Sequence, residues 1–192
     1  DVRAASDGSG RYAHFQRGSI YWSSTTGARV LTGAVRTTWT QRGSERGLGY
    51  PTMDVRATPD RVGRYAHFQR GSIYWTPSTG ARLVSGAVRD RWAASGWERG
   101  LGYPTTDVRP TPDGVGRYAH FQRGSVYWTP ATGARRIDGP IKNAWARSGW
   151  ERGRLGYPTG EARRVAGGTR QDFQRGFIVL SASTGRTTVT VR

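Results

Sequence analysis

The 192-residue chain carries 30 Lys+Arg against 13 Asp+Glu, a formal net charge of +17, and all of its cations but Lys142 are arginines. It has no cysteine, which excludes disulfides, thiolate metal sites and cysteine nucleophiles, and no apolar run of membrane-spanning length. Eight Trp, nine Tyr and five Phe are too many for a chain kept disordered by its charge.

A fixed period organises the chain. The block Gly10–Trp22 returns at Gly63–Trp75 and Gly116–Trp128, spaced by 53 residues, and Phe173–Leu180 is a fourth, degenerate copy. Within each block, apolar and polar residues alternate around Arg17-Gly18, which predicts a β-hairpin with a two-residue turn. That turn sets Phe15 opposite Ile20 and Ala13 opposite Trp22 on an apolar face, and leaves Tyr12, His14 and Tyr21 on the other. Thr76–Gly80 and Thr129–Gly133 are turn chemistry leading into a short third strand such as Arg82–Val84. Gly86–Gly96 places Val88 and Trp92 four residues apart and closes on glycine, and Pro140 sits at the matching helix start, so each repeat gains one or two turns of helix. The segments Leu48–Pro51, Leu101–Pro104 and Leu155–Pro158 then read as buried crossovers between units.

Those crossovers, each Leu-Gly-Tyr-Pro, resemble the signature of the LGFP repeat family, with Tyr in the family's Phe position. The surrounding Phe-x-x-Gly-x-Ile-Tyr-Trp, Thr-Gly-Ala and Glu-x-Gly elements are similar too, and three copies in register make the likeness specific. The resemblance implies a secreted, cell-envelope protein of actinobacterial type. It implies attachment to the peptidoglycan–arabinogalactan polymer, and a fused or associated catalytic or effector domain. The expected architecture is mainly β with short helices, in tandem repeats at 1–53, 54–106, 107–160 and a truncated, cap-like 161–192. A linear, stalk-like row is favoured over a closed, propeller-like ring, because the last unit lacks its Trp and Leu-Gly-Tyr-Pro block and residues 1–10 do not supply it.

The candidate chemistry is that of binding. His14, His67 and His120 occupy one slot in three equivalent units, and such symmetry supplies no nucleophile–base–orienter set. Neither a Gly-x-Ser-x-Gly nor a His-x-x-x-His occurs, so no enzyme, metal or cofactor is expected. The first candidates for ligand contact are His14, Arg17 and Tyr21 with their equivalents His67, Arg70, Tyr74, His120, Arg123 and Tyr127. Trp97 and Trp150 join them as sugar-stacking platforms, because the first unit has Ser44 in that slot and a required core plug would not vary so. Trp22, Trp39, Phe15 and their equivalents are assigned to the core. Pairing every acid still leaves +17, and free guanidinium forks suit carboxylates and phosphates. The expected role is non-catalytic, multivalent binding of cell-wall polysaccharide. The alternatives are a nucleic-acid or polyanion binder, disfavoured by the lack of lysine-rich runs, and a wall-active hydrolase.

Overall fold

The computed structural model describes residues 1–192. Each repeat builds one four-stranded antiparallel meander, and none of the four sheets closes into a barrel. The first runs β1 (Arg3–Ala4), β2 (Gly10–Phe15), β3 (Gly18–Ser23) and β4 (Gly27–Leu31), followed by helices α1 (Gly33–Gln41) and α2 (Ser44–Leu48). The second is β5 (Arg56–Ala57), β6 (Arg64–Phe68), β7 (Gly71–Thr76) and β8 (Gly80–Val84), followed by α3 (Gly86–Ala94) and α4 (Trp97–Gly100). The third is β9 (Arg109–Pro110), β10 (Arg117–Phe121), β11 (Gly124–Thr129) and β12 (Gly133–Asp138), with α5 (Gly139–Arg147) and a 3₁₀ turn at Trp150–Arg152. The fourth, β13 (Arg163–Val165), β14 (Gly168–Phe173), β15 (Gly176–Ser181) and β16 (Thr187–Val191), has no helix after it. The short leading strand of each sheet was not anticipated.

The chain divides into two compact units: Asp1–Arg89 with Tyr103–Asp107, and Asp90–Gly102 with Val108–Arg192. In the first, α1 lies between β3 of its own sheet and β7 of the next. Trp39 is fully buried there, edge-on to Tyr21 at 4.4 Å and stacked on Phe68 at 5.9 Å. In the second, α5 lies likewise between β12 and β15, with Trp145 against Tyr127 at 4.7 Å and Phe173 at 5.8 Å. One indole thus serves two sheets. An aromatic of this size removes roughly 150–250 Å² from water, on the order of 4–6 kcal/mol before entropy is charged.

Two expectations about the hairpin are corrected. The turn is Gln16-Arg17, so Phe15 pairs with Gly18, Ala13 with Ile20 and Tyr12 with Tyr21, a register two residues away from the expected one. Gly18 is a strand residue whose missing side chain is required by close approach, since a Cβ there would sit 2.8 Å from the Leu31 carbonyl oxygen. The face assignment changes as well. Tyr21, Tyr74 and Tyr127 are buried although they lie opposite the Phe–Ile face, whereas Phe15, assigned to the core, is 59% exposed. The Phe–Ile face is covered only where another repeat's helix lies on it, so Phe68, Phe121 and Phe173 are buried and Phe15 is not.

The crossovers are buried as expected, and they pair with the hairpin that follows. Pro51 and Pro158 make β-bridges to Phe68 and Phe173, and Arg70 and Arg175 donate backbone N–H bonds to the Leu48 and Leu155 carbonyls. The hydroxyls of Tyr50, Tyr103 and Tyr157 reach Asp7, Asp60 and Asp113 at 2.6–2.7 Å. This gives the tyrosine a polar anchor that the family's phenylalanine would lack. Burial opposes charge on Asp60 and Asp113, but the bonds from tyrosine and threonine outweigh it and hold both carboxyls below their ordinary value.

Candidate anion- and sugar-binding rows

The strand registers align one row of side chains across each of the first three sheets. In sheet 1 the row is Arg3, Tyr12, Tyr21, Arg29. In sheet 2 it is Arg56, Tyr65, Tyr74, Arg82, and in sheet 3 Arg109, Tyr118, Tyr127, Arg135. The two tyrosines of each row stack, with centroids 5.7, 4.9 and 5.1 Å apart. The histidine two residues along the strand shares this face, 4.8–5.2 Å from the outer tyrosine. Its Nδ1 lies 2.7 Å from the hydroxyl of Ser19, Ser72 or Ser125. A helix adds a further cation beside each histidine: Arg36, whose guanidinium is 3.4 Å from His14, then Arg89, then Lys142.

The rows contain no carboxylate, and their six arginines form no ion pair. The Nε of Arg29, Arg82 and Arg135 is buried without a hydrogen-bond partner. In the fourth sheet the corresponding row is Arg163, Arg170, Val179, Thr188, and Asp172 replaces the histidine. Asp172 pairs with both Arg163 and Arg170, so that row is neutralised from within. Three open cationic rows and one closed row follow from a few substitutions.

Burial, reinforced by the surrounding cations, favours the neutral form of the histidines. Burial first, and then Arg89 for His67 or Lys142 and Arg109 for His120, bring both from an ordinary 6.5 down to about 4. A lowered histidine pKa means that the folded chain prefers the neutral form. Its contribution is complete above pH 6.5 and is lost as pH falls towards about 4. Discounted for partial exposure, each histidine accounts for about 1–2 kcal/mol. Denaturant midpoints are therefore expected to fall between pH 6.5 and about 4, and the His67→Gln/His120→Gln variant to lose that fall. The acid loss from Asp60, Asp113 and Asp172 comes lower, below their ordinary 3.8.

The residues singled out from sequence are placed as follows. His14 is exposed, while His67 and His120 are half-buried on the open side of the rows. Tyr21, Tyr74 and Tyr127 form the buried inner member of each stack. Arg17 is exposed and unengaged. Arg70 and Arg123 stand apart from the rows, because their guanidinium donors are spent on backbone carbonyls of residues 45–47 and 98–100 at 2.7–3.0 Å. Trp97 and Trp150 are half-buried rather than displayed, edge-on to Trp92 at 5.0 Å and to Trp145 at 5.2 Å. Both hold left-handed backbone, φ 54° and 56°, as Ser44 does at 51°. Trp150 also lies 6.2 Å from His120, so the larger side chain covers the face that Ser44 leaves open over His14.

Sequence reasoning did not place Arg3, Arg56 and Arg109 at the ends of these rows, because the two-residue strands that carry them give no alternation. It also missed that Trp22 is 43% exposed. Trp75, half-buried, stands beside Arg64 in a groove of about 550 Å³ formed with Thr32–Val35 at the start of α1. The equivalent groove between Pro140 and Leu180 has no tryptophan.

Four serial meanders, three of them repeating the same polar row, define a tandem β-repeat module. The LGFP repeat family model matches residues 1–47, 48–100, 101–153 and 155–192. The chain belongs to the LGFP repeat family, a family of repeat modules. Comparison with curated proteins gives no match.

Proposed function

We propose that this chain is a non-catalytic, multivalent module that binds an acidic cell-wall polysaccharide and anchors a secreted protein or assembly to the bacterial envelope. The supporting observation is the threefold Arg–Tyr–Tyr–Arg row, whose arginines no carboxylate neutralises. Guanidinium forks at each end of a stacked tyrosine pair suit sugar carboxylates or phosphodiesters, and the neutral histidine offers a partner to hydroxyls. The half-exposed Trp75 beside Arg64 adds a surface for a sugar ring. Of the residues chosen from sequence, the three histidines and the tyrosines beside them belong to this reading. Each row binds weakly, and three on one chain raise retention by avidity.

The same field attracts nucleic acid, and tyrosine stacks on bases. The test is retention on purified peptidoglycan, arabinogalactan, teichoic acid and single-stranded DNA at about 0.1 and 0.5 M salt, where the screening length falls from about 10 Å to a few ångström. Wall polymer is expected to be held at the higher salt and DNA released. Equal release of both would leave only a basic surface.

A further inference from the structure

Sheet 1 presents an apolar face that every other sheet of the chain keeps covered. Phe15, Ile20, Trp22 and Val30 are 59%, 36%, 43% and 40% exposed, and all but Trp22 border a shallow hollow of about 290 Å³ with Arg17 and Thr32. The counterparts of Phe15 show what fits there. Phe68 lies under Trp39, Phe121 under Trp92 at 5.1 Å, and Phe173 under Trp145.

The polar rim of the contact is also repeated. Arg70, Arg123 and Arg175 each bind the carbonyls that end the preceding helical turn. Gln69 and Gln174 accept the backbone N–H of Tyr50 and Tyr157 at 2.9 Å. In sheet 1 the equivalents, Gln16 and Arg17, are exposed and bind nothing. Apolar centre and polar rim are thus both present and both unused.

We propose that this face is a socket for the tryptophan helix and Leu-Gly-Tyr-Pro turn of another LGFP repeat, seated as residues 33–51 are seated on sheet 2. A second copy of this chain cannot supply the plug, because Trp39, Trp92 and Trp145 are all fully buried. The occupant is therefore an additional repeat, and the interface it forms is the one this chain already uses three times. Repeat proteins gain much of their stability from such neighbour contacts.

The attachment point is set by register. Asp54 and Asp107 follow the turn and accept the backbone N–H of Val30 and Leu83 at 2.8 Å, and Asp1 is their counterpart. A copy of residues 1–53 joined ahead of Asp1 therefore brings a tryptophan helix to Phe15 with native spacing.

Hydroxyl-radical labelling of Phe15 and Trp22 in this extended chain is expected to drop several-fold, to the level of Phe68 and Trp75. Arg17→Ala should lower the denaturant midpoint of the extended chain and leave that of the original chain unchanged. Should the extended chain aggregate, the same labelling is read with only residues 33–53 added. Unchanged labelling at Phe15 and Trp22 would overturn the proposal. So would a concentration-dependent dimer of the original chain that Phe15→Asp abolishes, since a second copy would then be the occupant.

Discussion

Trp145→Ala is expected to cost about 3–5 kcal/mol, the usual loss for deleting a large aromatic from a packed core. The indole is fully buried, touches Tyr127 of one sheet and Phe173 of the next, and donates through Nε1 to the Gly156 carbonyl at 3.0 Å. Its removal opens two interfaces and orphans that carbonyl. Against a typical total of about 5–15 kcal/mol, that is a large share of the stability of this part of the chain. Trp22→Ala is the control, because that tryptophan is 43% exposed and its loss should stay within about 0.5 kcal/mol. Urea titration separates the two. A loss below about 1 kcal/mol at Trp145 would show that the helices, not the indoles, carry the interfaces.

The second large effect is on binding. Arg3, Arg56 and Arg109 are exposed, bind nothing within the chain, and end the three open rows. Replacing all three by glutamine should leave the denaturant midpoint unchanged while wall-polymer affinity drops at least about tenfold. One charge-assisted bond of about 1.5–3 kcal/mol per row is enough for that, and losses at three linked sites compound. The salt dependence should flatten as well, since the screened contribution has been removed. Arg163→Gln in the neutralised fourth row should do nothing to affinity. Unaltered binding in the folded triple variant would move the ligand to the Trp75 groove or elsewhere.

The repeats were legible in the sequence because the hairpin, the helix and the Leu-Gly-Tyr-Pro turn each return in register. Side-chain parity was legible too: Tyr12, His14 and Tyr21 do share a face. Which face is buried was not. Alternation implies one wet face for an isolated sheet, but sheets 2 and 3 have helices on both sides, and only sheet 1 leaves its Phe–Ile face open. The hairpin register slipped because Gly18 was read as a turn residue, when its role is to let the Leu31 backbone approach. Arg70 and Arg123 looked like ligand contacts because a hairpin-tip arginine in isolation is free. Their partners are backbone carbonyls more than twenty residues away, which no side-chain pattern announces. The place of Arg3, Arg56 and Arg109 at the row ends was not legible because β1, β5 and β9 are only two residues long, too short for alternation to register.

The central claim is that one chain carries three equivalent binding rows and a fourth that is closed. Calorimetric titration with a short acidic fragment of wall polysaccharide, too small to bridge two rows, tests it most directly. Three sites per chain of like affinity, falling to two when Arg56 and Tyr65 are replaced together, is the result the account predicts. A single site, or a stoichiometry unmoved by the Arg56→Gln/Tyr65→Ala pair, would contradict it.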